Sequence, residues 1–142
     1  MGEHDLGPVA GPLLRARLHI RGGRRRLRQG KIDAGIAALY DALEHALQSC
    51  LADPAFGPRL DAAAREYRGD AGKLYRAFVE AGVLDGSFDF GAFDALTSRA
   101  LNQELSGFDY HGVLAGLESV MTQLGVLPFD EASLPPEDPK TL

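Results

Sequence analysis

The stretch LRQGKIDAGIAALYDALEHAL, from Leu27 to Leu47, decides the fold class. Its apolar residues Ile32, Ile36, Leu39, Leu43, Ala46 and Leu47 recur at steps of mostly three and four, and Cys50 extends the row. That spacing places them on one face of an α-helix. Asp33, Asp41, Glu44 and Gln48 fall mostly on the other side, and five alanines in the stretch add helix propensity. The helix is expected to end before Asp53-Pro54, because the residue preceding a proline avoids helical geometry. Gly30 reads as the turn to an earlier helix, whose apolar stripe is Leu13, Ala16, Ile20, Gly23 and Leu27. Gly22-Gly23 either breaks that helix or lets a second backbone come close; a continuous helix is expected.

Helical spacing continues downstream. Helices are expected from Pro58 to Tyr67, from Ala71 to Glu80, from Gly91 to Leu105 and from Asp109 to about Leu124. Leu74, Tyr75, Phe78 and Val79 form the buried face of the second of these, and Phe93, Leu96, Ala100 and Leu101 that of the third. Asp89 and Asp109 are the expected N-terminal caps of the last two. Gly82 and Gly125 are expected to close helices at their C-termini. Leu84, Phe88 and Phe90 are expected to plug the core from a loop. No segment alternates apolar and polar residues as a strand would. The expected fold is all-α, an antiparallel helical bundle of five or six helices, forming one domain over residues 13–128. Residues 1–12, with three Gly and two Pro, are expected to be a flexible arm. Residues 129–142 carry three prolines and four acids against one lysine, and are expected to be an extended or disordered tail from which Phe129 and Leu134 dock on the body.

Composition narrows the function classes. The chain has 142 residues, 45% hydrophobic and 25% charged, which is ordinary globular usage. A single cysteine, Cys50, excludes an internal disulfide framework and a multi-cysteine zinc site. No apolar run approaches the roughly 18 residues of a membrane span, and no secretory leader pattern is present. A cytoplasmic protein without membrane contact is therefore expected.

The charge is unevenly placed. Arg15, Arg17, Arg21, Arg24, Arg25, Arg26, Arg28 and Lys31 give +8 between residues 15 and 31. From residue 77 onward eleven acids face two bases, Arg99 and Lys140, a balance of −9. The basic block either pairs with the acidic half or recruits an anionic partner. Arg17, Arg21, Arg24, Arg25 and Arg28 are the candidate residues for binding nucleic acid, since arginine's planar fork suits phosphate oxygens. No aromatic residue is interleaved with them for base stacking, and the net charge is −5.

The residues from 13 to 51 resemble the opening helices of the HEPN family of small helical bundles. The likeness lies in a basic first helix, a Gly30-Lys31 turn and a second helix with closely spaced Ala and Tyr. The Gly35-Ile36 and Ala42-Leu43 rhythm also resembles the tetratricopeptide repeat, but stacked repeats are absent. The HEPN resemblance implies a four-helix bundle, often dimeric, sometimes with ribonuclease activity carried by an Arg followed four to six residues later by His. Here Arg15 and His19 are three intervening residues apart and lie before the expected helix, and Arg99 and His111 are too distant. The departure speaks against ribonuclease activity.

No other catalytic or metal pattern stands out. His4, His19, His45 and His111 lack the spacing of a helical metal pair, so no metal ligands and no cofactor are assigned. Cys50 lies on the apolar stripe and reads as a small core residue. Asp85, Asp89, Asp94 and Asp109 do not follow the twelve-residue calcium loop. Gly22-Gly23 lacks the Lys-Ser/Thr of a phosphate-binding loop. The expected function is that of a non-enzymatic protein–protein interaction module acting as a homodimer or with another protein partner. The alternative is RNA or DNA binding through the arginine-rich first helix.

Overall fold

Small residues at one crossing point let the first two helices pack along their length. In the computed structural model, which describes residues 6–60 and 62–141, α1 spans Gly7–Arg28 and α2 spans Ile32–Ala52. Gly23 and Gly35 face each other between them, and a Cβ on Gly35 would lie 3.2 Å from the Gly23 carbonyl oxygen. α1 runs unbroken through Gly22-Gly23, so these glycines serve close approach rather than a break. Gly30, at φ +78°, turns the chain between the helices: its N–H reaches the Leu27 carbonyl and that of Lys31 the Arg26 carbonyl.

α1 begins earlier than its periodic stripe. Residues 7–12, expected as part of the flexible arm, form its first turns; residues 1–5 lie outside the described residues. Pro8 sits in the first turn, where a missing N–H costs little, and Pro12 lies just beyond it. The buried Ser49 hydroxyl donates to the Val9 carbonyl at 2.7 Å, which ties that turn to the far end of α2.

The remaining α-helices are α3 (Ala62–Glu66), α4 (Ala71–Glu80), α5 (Phe90–Leu101) and α6 (His111–Gln123). Together the described residues hold six α-helices and no strand, an all-α helical bundle. α2 is its central element, touched by α1, α4, α5 and α6. Its Ile36, Leu39, Ala42, Leu43, Ala46 and Leu47 are fully enclosed.

Three boundaries differ from expectation. The helix expected over Pro58–Tyr67 is a short 3-10 turn, Gly57–Arg59, followed by α3, because Leu60 is extended and buried in the core. α5 stops at Leu101 rather than Leu105: Gln103 adopts φ 58°, Leu105 is buried, and its N–H is taken by the Asp33 carboxylate at 3.0 Å. Tyr110, not Asp109, is the residue before α6, although the Asp109 carboxylate still accepts the His111 N–H. Asp89 caps α5 as expected, accepting from Ala92, and Asp70 caps α4 in the same way, accepting from Lys73. The C-terminal segment, expected to be extended or disordered, returns along α1 with a 3-10 turn at Glu131–Ser133.

Candidate functional site

The arginines of α1 and the acids of the C-terminal half meet within the molecule. Arg17 donates from Nε to the Val126 carbonyl at 3.0 Å, and its guanidinium lies 5.6 Å from the centre of the Phe129 ring. Arg21 donates to the Pro135 carbonyl at 2.7 Å. Arg24 pairs with Glu118 through two nitrogens and approaches Glu131 at 3.9 Å. Arg25, itself only 8% exposed, donates to both carboxylate oxygens of Glu137 at 3.0 and 3.2 Å and to Gln29. Of the five arginines singled out from the sequence, four are thus brought to one face and covered by residues 118–137. Arg28 lies exposed at the end of the helix.

That face is not saturated. The Nε atom of Arg21 is buried and has no hydrogen-bond partner among the described residues. Among the described contacts, residues 128–137 make no backbone–backbone hydrogen bond to the helical body; their backbone N–H groups pair within their own turns, and the Pro135 carbonyl accepts from Arg21. Among the described contacts, arginine side chains and Phe129 hold the segment.

A second feature is an apolar groove of about 500 Å³ between α5, α6 and the α4–α5 connection. Phe88, Phe93, Leu96, Phe108 and Val113 line it, with Gly112 and Gly116 on the α6 side and Ser87 and Asp89 at its edge. Its walls are fixed by aromatic packing: Phe88 meets Phe93 edge-on at 5.4 Å, and Phe93 stacks on Tyr40 at 5.7 Å. The Tyr75 hydroxyl donates to the Phe88 carbonyl at 3.0 Å and holds the connection in place. Gly116 lets the Phe88 ring lie against α6, since a Cβ there would stand 3.0 Å from it. A Cβ on Gly112 would meet nothing within 4 Å, so that position opens the groove. The sequence places Phe88 and Phe93 in the core, leaves Phe108 unassigned and does not assemble this groove. The available signal was Gly112 and Gly116, one helical turn apart opposite an aromatic-rich segment.

The close backbone approach that Gly22-Gly23 allowed is made within the chain, where Gly23 of α1 meets Gly35 of α2. Cys50 is buried, and its thiol lies 3.4 Å from the Leu124 carbonyl. Burial first, and the neighbouring Asp53 second, push that thiol up to about 12, so it stays protonated and poorly nucleophilic at neutral pH. The Tyr40 phenol is pushed up to about 12 by burial and then by Asp94 and Glu44. His19 and His45 stack across α1 and α2 at 5.3 Å, a pairing hidden from a search confined to one helix. Arg99 pairs with Glu104, and His111 with Asp109 on the surface. Among the described residues no group of three His, Cys, Asp or Glu side chains is placed to hold a metal ion. No helix among them is long and apolar enough to cross a membrane.

These features define an all-helical module with a covered basic face and an open apolar groove. Comparison with protein-family models, curated proteins and solved structures finds no match to this chain.

Proposed function

We propose that this chain is a non-enzymatic helical module that works by binding another protein. The observation that carries the reading is the open, rigid-walled groove between α5 and α6, apolar inside and acidic at its edge. Its volume and mix of aromatic walls with few polar groups match sites that take up apolar side chains. Asp89 is part of its lining, Asp109 adjoins Phe108, and between residues 77 and 128 seven acids face one arginine or lysine, Arg99. The partner that fits is an amphipathic helix presenting apolar residues at helical spacing with basic residues beside them.

Nucleic acid is the competing reading, and the arginine face weighs against it. Arg17, Arg21, Arg24 and Arg25 already hold carbonyls, carboxylates and a ring of the same chain, so phosphates would have to displace them.

The test is selection from a displayed peptide library on the immobilised full chain, repeated with Gly112→Phe, which fills the groove, and with Asp89→Ser, which keeps the cap and removes the charge. Enriched basic amphipathic peptides that Gly112→Phe rejects and Asp89→Ser binds several-fold more weakly are expected. Selected peptides indifferent to Gly112→Phe would overturn the groove reading. A 260/280 nm absorbance ratio that is high in the purified protein and falls on a high-salt wash would favour nucleic acid. With no Trp and four Tyr the chain itself absorbs weakly, so bound nucleic acid is readily seen.

A further inference from the structure

The basic face of α1 is already engaged by an extended peptide, the chain's own. We infer that this face is a recognition site for acidic, aromatic-containing extended segments of other proteins, and that residues 128–138 are its resident, displaceable occupant. The inference rests on the reading of the chain as a protein-binding module but uses a different surface from the groove.

Three observations carry it. First, the contacts have a pattern along the segment: the Phe129 ring under Arg17, Glu131 near Arg24, the Pro135 carbonyl on Arg21 and Glu137 on Arg25. The receiving side chains sit at positions 17, 21, 24 and 25, one face of α1 over about two turns. What occupies this face in the structure is peptide, engaged at a main-chain carbonyl, an aromatic ring and a carboxylate. That favours a peptide as the incoming ligand. Second, the segment leaves α6 at Gly125, at φ +78°, and from residue 128 makes no backbone–backbone bond to the body. Val126 and Leu127 stay bonded to the Met121 carbonyl, whereas the described contacts of the following residues with the body are made by side chains of α1, which places that stretch at the low-stability end of the fold. Third, the buried Nε of Arg21 is an unused donor on this face, and Arg28 extends the cationic row beyond the segment. A better-matched ligand therefore has further interactions to gain.

A tethered occupant acts at an effective concentration in the millimolar range, so a free segment of the same sequence competes poorly until the tether is weakened. The test uses a fluorescein-labelled peptide of residues 126–140 and the full chain, read by anisotropy. Glu131→Gln/Glu137→Gln, which weakens the resident segment, is expected to bind the peptide at least ten-fold more tightly than the unaltered chain. Phe129→Ala, which leaves every carboxylate in place, is expected to give a smaller gain, about three-fold. Adding Arg17→Gln/Arg21→Gln to the first variant is expected to remove the gain, and Gly112→Phe is expected to leave it intact, which separates this site from the groove. Circular dichroism identifies any variant that does not fold, and Phe129→Ala then carries the test. No gain in either tail variant overturns the inference. So does equal binding of a scrambled peptide of the same composition, which reports charge without recognition. A fifteen-nucleotide oligouridylate that binds the opened face more tightly than the peptide would overturn it in favour of a polyanion site.

Discussion

Gly23 and Gly35 lie back to back between α1 and α2. A Cβ on Gly23 would stand 3.3 Å from the Gly35 carbonyl oxygen and 3.0 Å from the Leu39 side chain. A Cβ on Gly35 would stand 2.6 Å from the fully buried Leu27 side chain. Alanine at either place gains up to about 1 kcal/mol of helix propensity but overpacks a closed contact, at a cost of about 1–3 kcal/mol. Gly22, the immediate neighbour, has as its nearest obstacle only the movable guanidinium of Arg26. Gly35→Ala is therefore expected to lower the urea midpoint and Gly22→Ala to hold or raise it. Equal effects at the two positions would show that the close approach does not limit packing.

Cys50 predicts an alkaline weakness. Its folded value of about 12 stands above the ordinary value of 9.0. Below pH 9 the thiol is protonated in both folded and unfolded chains and adds no pH dependence. Between pH 9 and about 12 the unfolded thiol ionises while the folded one does not, so stability falls as pH rises, by up to about 1.4 kcal/mol per pH unit. Tyr40, raised in the same sense, adds to the fall above pH 10. Urea unfolding from pH 7 to 10.5 is expected to show a shallower decline for Cys50→Ala than for the unaltered chain. At pH 8, iodoacetamide is expected to label the thiol only after unfolding.

The Ser49 hydroxyl anchors the first turn of α1 through the Val9 carbonyl. Ser49→Ala is expected to cost about 1 kcal/mol, the usual net value of one such bond. Amide exchange should speed up selectively at Gly11, Leu13 and Leu14, on the turn released. Uniform acceleration across α1 would mean the turn has no independent anchor.

Asp89 caps α5 from the edge of the groove by accepting the Ala92 N–H at 2.9 Å. Asp89→Ala is expected to cost about 1 kcal/mol in thermal or urea unfolding, and Asp89→Ser to cost little, because serine is an equally good cap. A similar loss for both would assign the effect to charge rather than to capping.

Much of the helical architecture was legible because it is written locally. The spacing of Ile32, Ile36, Leu39, Leu43 and Leu47 identifies the helix now seen at Ile32–Ala52, and the apolar spacing with Gly82 beyond it places α4 at Ala71–Glu80. The errors came where a distant residue overruled local preference. Leu105 leaves its helix because Asp33, 72 positions away, takes its N–H. Residues 7–12 become helical because Ser49 receives them, although their glycines and prolines read as an arm.

The sequence by itself determined a bundle of amphipathic helices with a basic start and an acidic end, since periodicity and charge are properties of neighbours along the chain. Only the tertiary structure decided what those charges face. Arg25 and Glu137 meet because the chain reverses after Gly125 and lies back along α1. The groove, likewise, exists only where Phe88, Phe93 and Phe108 come from separate segments to stand against two glycines of α6. Both surfaces are juxtapositions of residues far apart in sequence, fixed by the packing of whole helices and invisible to any local pattern.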